Sequence, residues 1–114
     1  MTLDEYQKQA KQTALYGQTL ADKVKPIYLY PTLGLAGEAG EIVEKVKKLV
    51  RNDDGKISEE FRADIKKELG DVLWYVAQLA TEFDVSLEEI AKLNGEKLRS
   101  RMERGKLHAS GDNR

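Results

Sequence analysis

The chain is expected to fold as an all-α protein. Apolar residues recur at helical spacing through four long stretches. Helix-start residues stand at the head of those stretches. No stretch shows convincing strand alternation, and no internal repeat is present. The 114 residues match the usual size of one domain.

The first helix opens on a capping box, Thr2-Leu3-Asp4-Glu5, and is expected to run to about Leu20. Ala21 to Tyr30 reads as a loop holding Pro26, Tyr28 and Tyr30. Pro31 suits the first position of the second helix. Its stripe is Leu35, Ala39, Ile42, Val43, Val46, Leu49 and Val50, and Asn52-Asp53-Asp54-Gly55 ends it. Ser58 is an N-cap for the third helix, with Glu59 and Glu60 at its positive end. That helix carries Phe61, Ile65, Leu69, Val72, Val76, Leu79 and Phe83. Ser86-Leu87-Glu88-Glu89 is a second capping box, and the fourth helix reaches about Arg104 before Gly105.

These elements predict a four-helix bundle-like domain over residues 1–105 and a polar tail over 106–114. The third helix is apolar on more than one side around Leu73-Trp74-Tyr75-Val76. One small bundle does not cover all of that surface, so a homodimer or homotetramer is expected.

Composition removes several function classes. Hydrophobic residues at 40% and charged residues at 34% describe a globular chain, not a disordered one. Nineteen basic and twenty acidic residues leave a net charge of −1. That balance gives no footprint for general nucleic-acid or anionic-membrane binding, although local clusters can still hold phosphate. The absence of cysteine excludes disulfides, thiolate metal sites and cysteine nucleophiles. The one histidine, His108, lies in the tail, which argues against a catalytic triad or a histidine-rich metal site. No apolar signal-peptide core or membrane-length run is visible, and the expected location is the cytoplasm.

Two acidic pairs remain to be explained, Glu38 with Glu41 and Glu68 with Asp71. Each pair is three residues apart, on one face of a helix, with a glycine between its members. Each adjoins apolar residues, where an uncompensated charge is costly. The bland alternative is two solvated acidic faces partly neutralised by Lys45, Lys66 and Lys67. The sharper one is a divalent cation between the pairs, which would remove their repulsion. All-oxygen ligation suits Mg²⁺, with Mn²⁺ as a substitute. A di-iron carboxylate bundle would need Glu-x-x-His motifs, and there are none. Gly34, Gly37 and Gly40 recur at a period of three, as though a neighbouring helix or a ligand came close to the backbone.

Gly34-Leu35-Ala36-Gly37-Glu38-Ala39-Gly40-Glu41, followed by Glu68-Leu69-Gly70-Asp71-Val72-Leu73-Trp74-Tyr75, resembles the MazG-like family of all-α nucleoside triphosphate pyrophosphohydrolases. The likeness covers about Tyr6 to Arg104. It implies Mg²⁺-dependent cleavage of a nucleoside or deoxynucleoside triphosphate to monophosphate and pyrophosphate. Glu38, Glu41, Glu68 and Asp71 would then be the metal-binding and catalytic acids. Gly37 stands where the family's EExxE motif has its first acid. Asn94, Lys97 and Arg101 resemble the family's phosphate-meeting segment, and Tyr75 matches a position near the base. Lys48, with Lys47 and Arg51, forms a further basic cluster that would touch phosphates or stay solvated. The rivals are a nucleotide-binding protein without turnover and a helical interaction module of the same fold.

Overall fold

The computed structural model describes residues 1–114. It contains four long helices and one single-turn helix: α1 (Leu3–Gln12), α2 (Tyr16–Thr19), α3 (Leu29–Asp53), α4 (Glu59–Glu82) and α5 (Leu87–Glu103). No helix is long and apolar enough to cross a membrane.

The capping box at Thr2 forms as expected. Glu5 N donates to Thr2 Oγ1 at 3.0 Å, and Thr2 N donates to Glu5 Oε2 at 3.2 Å. The first helix, however, ends at Gln12 instead of near Leu20. Thr13 turns its hydroxyl onto the Ala10 carbonyl at 2.9 Å and accepts the Trp74 indole N–H at 2.8 Å. The chain breaks there and swings Tyr16 inward. Tyr16 stacks on Tyr30 with centroids 5.1 Å apart, meets Trp74 edge-on at 6.4 Å, and donates its hydroxyl to Glu82 at 2.7 Å. Tertiary contacts outweigh helix propensity here.

Helix α3 begins at Leu29, two residues ahead of Pro31. Proline is still tolerated at this third position, because an N–H there has no intrahelical acceptor. Asp54 (φ 51°) and Gly55 (φ 75°) take left-handed backbone and end the helix. Ser58 caps α4 by accepting from Phe61 N at 3.0 Å. At α5 only the serine half of the expected box is present: Ser86 Oγ accepts from Glu89 N at 3.1 Å. The Ser86 hydroxyl donates to Asp4 at 2.7 Å, which ties the cap to α1. Gln7 ties the same corner, donating to the Val85 carbonyl at 2.9 Å and accepting from Leu87 N at 2.8 Å.

Helices α3 and α4 form an antiparallel hairpin, and α1 lies against α4 and the start of α5. The core is small. Ala10, Ala77 and Leu87 form its centre, with Leu3, Tyr6, Trp74 and Val76 packed around them. Only 8 of 114 residues are buried. The radius of gyration is 17.2 Å, whereas a compact domain of this length would give about 13 Å. Much apolar surface therefore stays uncovered. Val43, Val46 and Val50 on α3, Leu69 and Leu73 on α4, and Ile90, Leu93, Leu98 and Met102 on α5 are all exposed.

Candidate metal centre

The α3–α4 hairpin sets the two acidic motifs side by side. Glu38 faces Glu68 and Asp71, and one carboxylate oxygen from each of the three lies within 4.8 Å of the others. Glu38 and Glu68 are half-buried, and Asp71 is exposed. Like charges this close oppose ionisation. The Glu38 carboxyl is held above its ordinary range, first by burial and then by the charges of Asp71, Glu68 and Glu41.

Glu41 lies one turn further along α3 and is exposed. It is near enough to perturb Glu38 but is not one of the tight group of three. Lys45, another turn on, places Nζ 3.6 Å from Glu68. The cluster is therefore not wholly without counter-charge. One exposed-side cation beside several carboxylates leaves an excess of hard oxygen donors, the donor set that divalent Mg²⁺ or Mn²⁺ takes.

Aromatic side chains wall the other end of the cluster. Tyr75 sits one turn beyond Asp71 on α4, and its ring lies over Gly34, one turn before Glu38 on α3. A Cβ on Gly34 would overlap that ring. No such contact exists at Gly37 or Gly40, where added side chains would meet open space. The period-three glycines thus mark one close approach between helices, not three. Trp74 meets Tyr75 edge-on at 5.0 Å. The Tyr75 hydroxyl titrates above its ordinary range through burial, then its interaction with Tyr30, then Glu38 and Asp71. Tyr6 on α1 is raised as well, by burial and then by Asp71. Tyr6 and Tyr30 are neighbours of the site that sequence reasoning overlooked. Tyr30 was detectable, since Tyr30, Gly34 and Glu38 follow one another at four-residue spacing on one face of α3.

The basic residues expected at the phosphates make their ion pairs with other carboxylates. Lys48 pairs with Glu44 on its own helix at 3.9 Å, alongside Lys47 at 2.9 Å. Asn94 is exposed on α5. Lys97 and Arg101 both face Asp112 in the segment after α5, at 3.6 Å and 3.4 Å.

Comparison with known proteins agrees with the geometry. The family model described as the MazG nucleotide pyrophosphohydrolase domain matches residues 30–105, which hold both acidic motifs and all of α5. "Gene 37 protein" of Mycobacterium phage L5 is 50% identical over 115 residues, covering 100% of both chains. No solved structure matches. The all-α hairpin, the paired acids facing each other across it and the family match over two-thirds of its length make this chain a member of the MazG nucleotide pyrophosphohydrolase domain family.

Proposed function

We propose that the chain is a Mg²⁺-dependent pyrophosphohydrolase that splits a nucleoside or deoxynucleoside triphosphate into monophosphate and pyrophosphate. The observation that carries this is the convergence of Glu38, Glu68 and Asp71 within 4.8 Å in a chain of this family. Those three carboxylates would hold the ion, with Glu41 completing the set. A divalent ion bound there supplies charge neutralisation of phosphate oxygens and a more acidic water. Attack of water on the α–β phosphoanhydride would form one P–O bond at the attacked phosphorus and break its bond to the bridging oxygen, which leaves with the other phosphate. The proton of that water would pass to one of these carboxylates. Lys97, Arg101, Asn94 and Lys48 would meet remaining phosphate charge, and Tyr75 would border the base.

A second copy of the chain is the partner that fits the uncovered apolar residues of α3, α4 and α5. Light scattering at micromolar concentration should return a mass at least twice 12.9 kDa. The expected setting is the cytoplasm, with nucleotides rather than nucleic acid as ligands.

Pyrophosphate release, measured over the common NTPs and dNTPs with Mg²⁺ and again with EDTA, tests the activity. Turnover of at least one nucleotide that EDTA abolishes is expected. Gly37 in place of the first motif acid, and Lys45 already on Glu68, favour one rival. That rival is a nucleotide-binding protein without turnover, and saturable binding with no product across the panel would establish it instead.

A further inference from the structure

The segment Lys106–Arg114 folds back over the last turns of α5. Lys106 N donates to the Arg101 carbonyl at 2.7 Å, and Gly111 turns the chain with φ 87°. Arg114 Nη2 donates to the Leu107 carbonyl at 3.3 Å, while Arg104 Nη2 donates to the Arg114 carbonyl at 2.7 Å. At the centre is Asp112. Arg101 Nη2 donates to its carbonyl at 2.7 Å and reaches its carboxylate at 3.4 Å. Lys97 Nζ lies 3.6 Å from the same carboxylate oxygen.

These are the two cations assigned above to substrate phosphates. Arg101 is only 3% exposed, so no anion from solvent reaches it past this segment. Its Nε is buried with no partner, so the carboxylate does not satisfy the whole guanidinium. A guanidinium fork pairs with phosphate as it does with carboxylate, and phosphate offers more charge and more acceptors. The hydrogen bonds and ion pairs that hold the segment leave the Asp112 side chain 86% exposed. The Asp112 side of both pairs and the Lys97 ammonium are open to solvent, which weakens the hold.

We propose that the segment Lys106–Arg114 is a strap in which Asp112 occupies the Lys97–Arg101 anion site, and that a polyphosphate ligand must displace it. The strap is thus an internal competitor that sets the affinity of that site. The proposal rests on the assignment of Lys97 and Arg101 to substrate phosphate.

Inorganic tripolyphosphate with Mg²⁺ tests this without turnover, by calorimetry on the full chain, on Asp112→Asn and on a chain ending at Gly105. Asp22→Asn, in an exposed loop, controls for the change in net charge. Both altered strap proteins should bind about twofold to fivefold tighter than wild type, the range that an ion pair open to solvent on one side allows. The control should bind as wild type does. In wild type, the backbone amide signals of Gly111 and Asp112 should shift as tripolyphosphate saturates. If wild type binds but neither strap variant binds tighter and those amides stay fixed, the strap is refuted while the phosphate assignment stands. Weaker binding by Asp112→Asn, which folds like wild type, would also refute it, since Asp112 would then be orienting the cations. If no protein binds tripolyphosphate, the phosphate assignment fails and the strap's role falls with it.

Discussion

The carboxylates of the α3–α4 hairpin and the cations near the end of α5 are opposite in sign and opposite in treatment. Glu38, Glu68 and Asp71 are pressed within 4.8 Å of one another, with Lys45 3.6 Å from Glu68 at the margin. Lys97 and Arg101 are matched by a carboxylate of the same chain. Burial, and then the uncompensated charge of its acidic neighbours, raises Glu38. The cations do the reverse to Asp112, which is held below its ordinary range first by its hydrogen bond to Arg101 and then by Lys97. A cluster that the fold leaves strained in charge calls for a ligand from outside. A cluster that the fold has already filled calls for a reason to open.

The largest effect that could break this contrast is at Asp71. Asp71→Asn should lower turnover by more than about a hundredfold, beyond the loss that residues behind a metal's own ligands produce. Its thermal stability without divalent ion should hold or rise, because one repelling charge is gone. Unchanged Mg²⁺ affinity by calorimetry would place the ion elsewhere. Gly34→Ala probes the wall of the acidic cluster. It should lose about 1–3 kcal/mol of stability in urea melts as Tyr75 is forced away, despite alanine's better helix propensity. Gly37→Ala, with open space around it, should gain about 0.5–1 kcal/mol. Equal effects at the two glycines would mean that Tyr75 does not rest on α3.

Lys45→Met asks whether the marginal cation merely neutralises. If it does, Mg²⁺ affinity should rise about twofold to fivefold, the scale of a partly exposed ion pair. The subtlest test is the order of titration in metal-free protein, followed by carboxyl NMR. As pH falls, Glu38 should take its proton above the ordinary glutamate range, and Asp112 should hold out below the ordinary aspartate range. The signs for stability differ accordingly. The folded state favours protonated Glu38, so that contribution is lost as pH rises through the raised value. It favours ionised Asp112, so that contribution is lost as pH falls through the lowered value. Reversal of the order would erase the contrast.

Periodicity and capping residues located the four long helices, because those signals are local. The acidic motifs were legible for the same reason: each lies on one helix face, and the hairpin turn at Asp54-Gly55 brings them together. What escaped depends on contacts distant in sequence. The break after Gln12 is made by Trp74, sixty-one residues away, through Thr13. The single close approach among three evenly spaced glycines is chosen by one tyrosine on another helix. The pairing of Lys97 and Arg101 with Asp112 depends on a fold-back that the polar composition of 106–114 does not announce.

The fit of the Tyr75 ring over Gly34 also bears on how this sequence can drift. The two positions are complementary in volume, so neither can change freely while the other stays. A chain that acquires a side chain at position 34 must give up bulk at position 75, or separate the helices that carry the acids. Among related sequences these two positions should vary together, while Gly37 and Gly40 vary without regard to Tyr75. Either change would give the wall of the site a different shape.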